Sequence, residues 1–449
     1  MSDTDESSTS GFRTVAAVDA RRSMWLIVAM LTGFAFLGHF NRVSISVAAK
    51  ARFIGPGMLT AEQMGTVYST FLFVYTVCML PGGWVIDRIG PGRALAGMGL
   101  GMGFCVVLTG SLGWSGLSVA SLFLPLLLVR GIAGALSTPL HPGAARSVSL
   151  WVPTKHRSTA NGLVTAGALV GISLTFPGFG WLLNRFDWPL AFVICGTVMM
   201  VFAATWLLML RPADRKSGVR IDGDRSLAGT LSQLVQLTKN RRLVLLTLSY
   251  ASLSYFQYLF FYWLEFYFGK ELKLPEDSSR QASFIVTLAM AAGMALGGVT
   301  ADRLSARIGP RWGSRSVAMA AMLLSGSFAW LGLLVKEPSQ VVLLFSLALG
   351  SLGLCEGIFW TAAPALEPGN GGLACAFLNT IGNAGGILAP VCTPWIGERY
   401  GWPTAITVAS AICAMGAVFW FWIDIDPEHS IQTSRAAMTT GAIEPSEVS

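Results

Sequence analysis

Two arginines lie inside apolar stretches that are long enough to cross a membrane. Arg42 falls within residues 24–48, and Arg130 has apolar neighbours on both sides within residues 117–142. A charged side chain at such a depth faces a polar cavity or a partner, and a guanidinium group binds a carboxylate through two parallel hydrogen bonds. The two residues therefore predict a binding site for a small anion. The alternatives are that Arg42 extends its side chain to the outer surface and that Arg130 is bound to backbone carbonyls.

Three uncharged polar residues occur in further apolar stretches. These are Tyr75, Asn379 and Asn383. The two asparagines are four residues apart, so they share one face of a helix. We expect these groups either to bind hydroxyl groups of a substrate or to form hydrogen bonds between helices. The sequence leaves both possibilities open.

Two titratable residues in apolar stretches could take up and release a proton. Glu356 is the one acid deep in such a stretch, where burial favours the neutral carboxyl group; the alternative is a structural partner of an arginine or of the backbone. His39 is three residues before Arg42, so both share one helix face, although a lone histidine there is commonly just hydrogen-bonded. We expect a structural role for His141 and a rim position for Glu265, near the outer end of its stretch.

The composition places the chain among membrane proteins. Of its 449 residues, 53% are apolar and 12% are charged, against about 25% charged in soluble domains. The net charge of +7 comes from basic residues in short loops, which fits membrane topology, so we expect no nucleic-acid partner. The seven cysteines show neither metal-binding nor disulfide spacing. Because no catalytic motif is visible, we predict no enzyme activity, no catalytic residue, no metal and no cofactor.

The positions of the apolar stretches predict an all-α membrane protein with twelve transmembrane helices in two pseudo-symmetric six-helix bundles. Each stretch is about 20 residues or longer, and they lie near 24–48, 62–86, 93–113, 117–142, 158–183, 189–210, 243–268, 282–301, 316–335, 340–365, 373–396 and 404–423. Most Lys and Arg residues fall on one side if both termini are cytoplasmic. The predicted segments are a cytoplasmic tail at 1–23, bundles at 24–210 and 243–423, a cytoplasmic linker at 211–242 and a cytoplasmic tail at 424–449.

A repeated loop indicates that the chain is duplicated. The pattern Gly-Gly-x-x-x-Asp-Arg ends at Arg88 and recurs 215 residues later, ending at Arg303. A second echo, Trp188-Pro189 and Trp402-Pro403, has a spacing of 214 residues. Two echoes at nearly one spacing favour two copies of one unit. We expect the repeated loops to act in conformational switching through Gly83, Asp87, Arg88, Arg93, Gly298, Asp302 and Arg303.

The repeated loop resembles the signature between the second and third helices of the major facilitator superfamily, which recurs between the eighth and ninth. The stretches Phe40–Ala48, Arg130–Arg146 and Asn379–Ile387 are further similar to the anion:cation symporter family, which includes sugar-acid, phthalate and sialin-like carriers. The resemblance implies a secondary active transporter that moves a small organic anion, a carboxylate, by alternating access. It also implies a monomer in the plasma membrane, the inner membrane if the source is bacterial, with a proton or sodium ion as the candidate coupling ion.

The resemblance also implies roles for individual residues. Arg42 and Arg130 match the arginines that hold the anion, and Tyr75 matches a substrate-contacting tyrosine. Asn383 matches the family asparagine that orients the substrate, with Asn379 as the alternative.

Three positions depart from the family pattern. Asn41 and Ser137 replace two acids of proton-coupled members, and Ala168 replaces a glutamine of sugar-acid carriers. Proton coupling by the family route is therefore not expected, and a polyhydroxylated substrate is disfavoured. Any remaining coupling is assigned to Glu356, with His39 as the next candidate. The alternatives are an uncoupled anion exchanger and a drug or metabolite exporter of the same fold.

Overall fold

The computed structural model describes residues 6–210, 236–367 and 371–423, and these are nearly all helical. A single isolated β-bridge pairs Ile54 with Leu59 within this part of the chain. The helices are α1 Glu6–Ala48, α2 Ala61–Val77, α3 Met79–Ile89, α4 Pro91–Ser111, α5 Phe123–Leu136, α6 Leu140–Trp151, α7 Thr154–Met209, α8 Arg241–Lys270, α9 Glu276–Ile308, α10 Pro310–Gly332, α11 Pro338–Leu366, α12 Gly371–Tyr400 and α13 Trp402–Phe419. A π-helix, Ala49–Phe53, continues α1.

Both copies of the repeated loop turn in the same way. Gly90 has φ 85° and ψ 150°, and Gly309 has φ 88° and ψ 153°. This region of backbone conformation is accessible essentially to glycine alone. The next residue in each copy is a proline, Pro91 or Pro310, at the first position of the following helix, where its missing N–H costs nothing. The local sequence therefore dictates the turn at both places.

The second echo also has a common backbone conformation. Asp187 has φ 58° and ψ 170°, and Gly401 has φ 92° and ψ 144°. Each residue precedes a Trp-Pro pair. Gly401 separates α12 from α13, whereas Asp187 lies inside the 56-residue α7 and interrupts its helical geometry.

Prolines explain two breaks in predicted helices. A proline ring clashes with the carbonyl four residues before it. Pro81 therefore disfavours a continuous helix at Val77, the last residue of α2, and Pro142 has the same effect at Thr138, between α5 and α6. The second break leaves Arg130 on α5 and places His141 at the start of α6.

Nine helical segments in the described residues are long and apolar enough to cross a membrane. The prediction was twelve. The difference arises because Ala160–Met209 is counted as one segment of 50 residues, and because neither the divided α2–α3 region nor the arginine-bearing α10 is among the nine.

Close contacts divide the chain into two compact units. The described parts of Met1–Ile45, Val77–Ser118 and Leu124–Ile221 form the first unit. The described parts of Ser46–Thr76, Val119–Phe123 and Asp222–Ser449 form the second. The predicted bundles at 24–210 and 243–423 follow chain order instead, and they stay a prediction.

Aromatic packing holds α1 in the first unit. The ring of Phe34 is buried edge-on against Phe202 and Trp206, at centroid distances of 5.0 and 5.8 Å. The indole Nε1 of Trp206 donates to the carbonyl oxygen of Gly92 at 2.9 Å. This packing joins α1, α4 and α7 and fixes the helix that carries Arg42.

A buried arginine of the second unit binds the backbone carbonyls that follow α13. Arg315 donates from its guanidinium group to the carbonyls of Trp420 at 2.6 Å, Phe421 at 2.5 Å and Ile423 at 3.1 Å. These residues follow the end of α13, where carbonyls lack helical partners. Arg315 therefore has a structural role.

Candidate functional site

The two predicted anion-binding arginines are brought together by α1 and α5 in the first unit. The side chain of Arg130 is only 5% exposed. Its Nη2 donates to the backbone carbonyl oxygen of Arg42 at 2.8 Å. The structure thus contains the hydrogen bond to a backbone carbonyl that was the alternative role for Arg130. A guanidinium group has five N–H donors in one plane, so this bond also fixes how the plane lies against α1.

The apolar stretches that contain or adjoin these arginines are poor in acidic residues. Residues 24–45, 91–111, 123–151 and 160–186 contain neither Asp nor Glu. Two cationic groups in a poorly hydrated environment repel each other and are stabilised by an anion. An anion that enters from solution can provide that stabilisation.

The two residues that replace the acids of the family pattern are packed into the interior. Asn41 is 1% exposed, and its Nδ2 is 3.4 Å from the sulfur of Met199. Ser137 is 4% exposed and donates from Oγ to the carbonyl of Ala133 at 2.6 Å. Neither side chain can exchange a proton near neutral pH.

Two histidines of the first unit contact each other. The rings of His39 and His141 have centroids 5.2 Å apart and lie edge to face at 63°. The Nδ1 atom of His39 is 3.0 Å from the carbonyl oxygen of Ala35. The expected structural role of His141 is not tested by this contact.

Glu356 lies in a polar cluster of the second unit. Its side chain is buried on α11, and Oε1 accepts a hydrogen bond from the Tyr250 hydroxyl at 3.0 Å. The Tyr250 ring packs against Phe359 and Trp360 at centroid distances of 5.2 and 5.9 Å. Tyr250 is therefore a neighbour of the predicted coupling residue that the sequence analysis did not identify.

The remaining predicted substrate contacts also belong to the second unit. Asn383 is 7% exposed on α12, and its Nδ2 has no hydrogen-bond acceptor among the described residues. Asn379 is half-buried one turn earlier. Tyr75 is buried on α2 and stacks on Phe71, with centroids 6.4 Å apart. A buried amide donor without a protein acceptor is suited to a ligand oxygen.

The predicted switch residues lie in α3, α4 and α9. Arg88, Arg93 and Arg303 are exposed, and Gly83 and Gly298 have open space where a side chain would be. The close helix contacts are made by the preceding glycines instead: a Cβ atom on Gly82 would meet Thr138, and one on Gly297 would meet Leu354. The side chains of Asp87 and Asp302 lie outside the described part of the structure.

Comparison with known proteins identifies the family. The model of the Major Facilitator Superfamily matches residues 23–311 and 278–445. This chain belongs to the Major Facilitator Superfamily. The predicted membership is confirmed, and the protein is a multi-pass membrane protein of a transporter family rather than an enzyme.

Its relatives in the superfamily include transporters of organic acids. A D-galactonate transporter of Escherichia coli is 25% identical over 433 residues, which cover 90% of this chain and 96% of the relative. A protein named as a probable galactarate/D-glucarate transporter of Bacillus subtilis is 25% identical over 448 residues, covering 93% and 95%. A solved bacterial homologue of the human lysosomal transporter Spinster, in an inward-facing and unoccupied conformation, shares the fold, with a TM-score of 0.72, 16% identity and coverage of 89% and 97%.

The prediction that Glu265 lies at the rim is wrong. Its side chain is 3% exposed, and Oε1 is 3.6 Å from Lys50 Nζ and 3.5 Å from Arg280 Nε. Arg280 is also paired with Glu276 and with Asp277. The cluster joins the π-helix after α1 to α8 and α9. No local sequence pattern indicates this cluster, because its members come from three separate segments.

Proposed function

We propose that this superfamily member is a secondary active transporter that moves a small organic anion, a carboxylate, across the membrane by alternating access. The observation that carries the proposal is the hydrogen bond from the buried Arg130 to the Arg42 carbonyl, which places two arginines together in apolar segments of the first unit. The organic-acid transporters among its relatives support the same chemical class of substrate. Arg42 and Arg130 hold the anion, and Tyr75 and Asn383, or Asn379, orient it.

We also propose the twelve-helix architecture with both termini in the cytoplasm. The 50-residue segment Ala160–Met209 would be about 75 Å long as one helix, against a hydrocarbon thickness of about 30 Å. Its interruption at Asp187 supports two crossings. The α2–α3 region and α10 supply the other two.

Coupling to a proton gradient cannot use Asn41 or Ser137, because neither residue is titratable. An uncoupled anion exchanger is therefore the second candidate function. Within the second unit, Glu356 with its Tyr250 partner is the carboxyl group available for coupling.

Counterflow in proteoliposomes tests the proposed function. Vesicles loaded with D-galactonate, D-glucarate or a simple monocarboxylate should exchange at least one of them with its labelled form. Arg130→Lys should lose most of this exchange, since an ammonium group cannot reproduce the bidentate geometry. Arg185→Lys, a change at an exposed arginine, is the matched control and should behave as the wild type.

Two results would contradict the proposal. Undiminished exchange by a folded Arg130→Lys protein would remove this residue from the site. Transport of neutral or cationic compounds that is insensitive to Arg42→Ala would instead indicate an exporter of the same fold.

A further inference from the structure

The two histidines of the first unit form a contact that no role in anion binding explains. His39 lies on α1 and His141 on α6, and their rings meet edge to face with centroids 5.2 Å apart. Both residues are half-buried, and both helices belong to segments that can cross a membrane. His39 is one helical turn from Arg42, so the pair adjoins the proposed anion site.

The hydrogen bond of His39 defines which nitrogen can bind a proton. A carbonyl oxygen only accepts hydrogen bonds, so the contact of Nδ1 with Ala35 O at 3.0 Å places a hydrogen on Nδ1. In the neutral ring, Nε2 is then the basic nitrogen. His39 can therefore accept a proton at Nε2 while Nδ1 keeps its hydrogen bond to the Ala35 carbonyl.

The described charged side chains that act on the pair are cationic. Arg42 acts electrostatically on both histidines, and Arg130 reaches the same part of α1 through its bond to the Arg42 carbonyl. On α4, the titratable Cys105 interacts with Arg130. The other charged residues of α3, α4 and α6 are Arg88, Arg93, Arg146 and Asp87, and the side chain of Asp87 lies outside the described structure. Residues 160–184 of α7 contain no charged residue.

This charge arrangement links the proton to the anion. Two adjoining imidazoles cannot both be protonated readily, because like charges at this separation repel. One added proton faces the same repulsion from the two arginines until an anion offsets their charge. The anion therefore favours proton binding, and the proton must favour anion binding by the same factor.

We propose that His39 and His141 form a shared proton site, filled by a single proton when the anion binds at Arg42 and Arg130. The proposal rests on the proposed function and places the coupling proton in the same unit as both arginines. Glu356, ranked first from the sequence, is instead held by Tyr250 in the second unit.

Proton counting during anion binding tests the site. The purified full-length protein is titrated calorimetrically with D-galactonate, and with D-glucarate or acetate if D-galactonate does not bind, in buffers of different ionisation enthalpy. The wild type should take up about one proton per anion, and its affinity should fall by up to about tenfold per pH unit where the site empties.

A double variant should separate the proton from the anion, because either imidazole alone can still accept the single proton of a shared site. The double variant His39→Gln/His141→Gln should bind the anion without proton uptake, at an affinity that is independent of pH and equal to that of the wild type at high pH. His429→Gln, at a position outside the described residues, is the control and should retain the uptake. A merely structural role for the pair would leave the proton count unchanged.

A measurement on the wild type removes the dependence on folded variants. The chain has four histidines, so selective ¹⁵N labelling of imidazole rings yields few signals. Adding the anion at constant pH should change the protonation of two of them.

The outcomes distinguish the two proposals. Anion binding to the wild type without proton uptake, or uptake that persists in the double variant, overturns the histidine site and leaves the anion carrier intact. Loss of uptake in Glu356→Gln alone also overturns the histidine site. Failure of every anion to bind overturns both.

Discussion

The contact between α2 and α12 in the second unit can be tested by a substitution that adds one methyl group. Gly65 lies so close to α12 that a Cβ atom would be 2.0 Å from the carbonyl oxygen of Pro390 and 3.1 Å from Cγ of Pro394. A carbon–oxygen contact normally requires about 3.3 Å. Because the opposing atom is backbone, Gly65→Ala must separate the two helices by about 1.3 Å at this point.

The same displacement breaks a neighbouring hydrogen bond. The Ser69 hydroxyl donates to the carbonyl of Ile387 at 2.5 Å, and a further 1.3 Å exceeds hydrogen-bonding distance. Overpacking costs about 1–3 kcal/mol and the lost bond about 0.5–1.5 kcal/mol. The variant should therefore lower the equilibrium constant for forming this arrangement by roughly tenfold to a thousandfold. If alternating access populates the arrangement to one half in the wild type, the fraction should fall to about one tenth or less.

Cross-linking measures that fraction. Glu62 and Arg399 form an exposed ion pair between α2 and α12, with Arg399 Nη1 2.5 Å from Glu62 Oε1. Cysteines at these two positions, in a chain whose seven native cysteines are replaced, report the contact through a short bifunctional thiol reagent. Gly97→Ala is the control, since a Cβ there meets nothing within 4 Å. If Gly65→Ala cross-links as fast as the control and transports at the same rate, the close contact does not limit the distribution between states.

Three further variants test other parts of the structure. Asp87→Asn should lower the counterflow rate more than the calorimetric affinity for the anion, and a large loss of affinity at an unchanged rate would contradict a switching role. Glu265→Gln removes a carboxylate buried between two cations and should destabilise the fold by about 3 kcal/mol, measured as a lower melting temperature in detergent. The control Glu271→Gln, at an exposed position, should change stability by less than about 0.5 kcal/mol. Equal melting temperatures for the two variants would refute the stabilising role of Glu265. Glu356→Gln should still accumulate the anion in response to a pH gradient if the proton moves through the histidines, and loss of accumulation with preserved counterflow would assign coupling to Glu356.

The features that were predictable from the sequence are those fixed by short-range chemistry. The turns at Gly90 and Gly309 require glycine followed by proline, and both residues are adjacent in the chain. The break after Val77 follows from Pro81 four residues later. The family signature combined such local requirements with repetition, and it was therefore recognisable without a structure.

Features that depend on contacts between distant segments were not predictable. The position of Glu265 near the end of an apolar stretch predicts a rim residue, yet Lys50 and Arg280 allow it to be buried. Tyr250 gave no signal as a partner of Glu356 because the two are 106 residues apart. No local pattern connects His141 to His39, and only the fold brings the two rings together.

The two units neutralise their buried charge in different ways. In the second unit, Glu265 is balanced within the protein by Lys50 and Arg280, which gives a cluster that does not need a solute. In the first unit, Arg130 donates to the Arg42 carbonyl, and we propose that an anion from outside supplies negative charge beside these two arginines. A ligand shifts a conformational equilibrium only if it stabilises one state more than the other. The proposed anion supplies that difference, because closing the protein around two arginines costs more without an anion than with one. A carrier that moves only when loaded requires this dependence, and we assign it to the proposed anion site of the first unit.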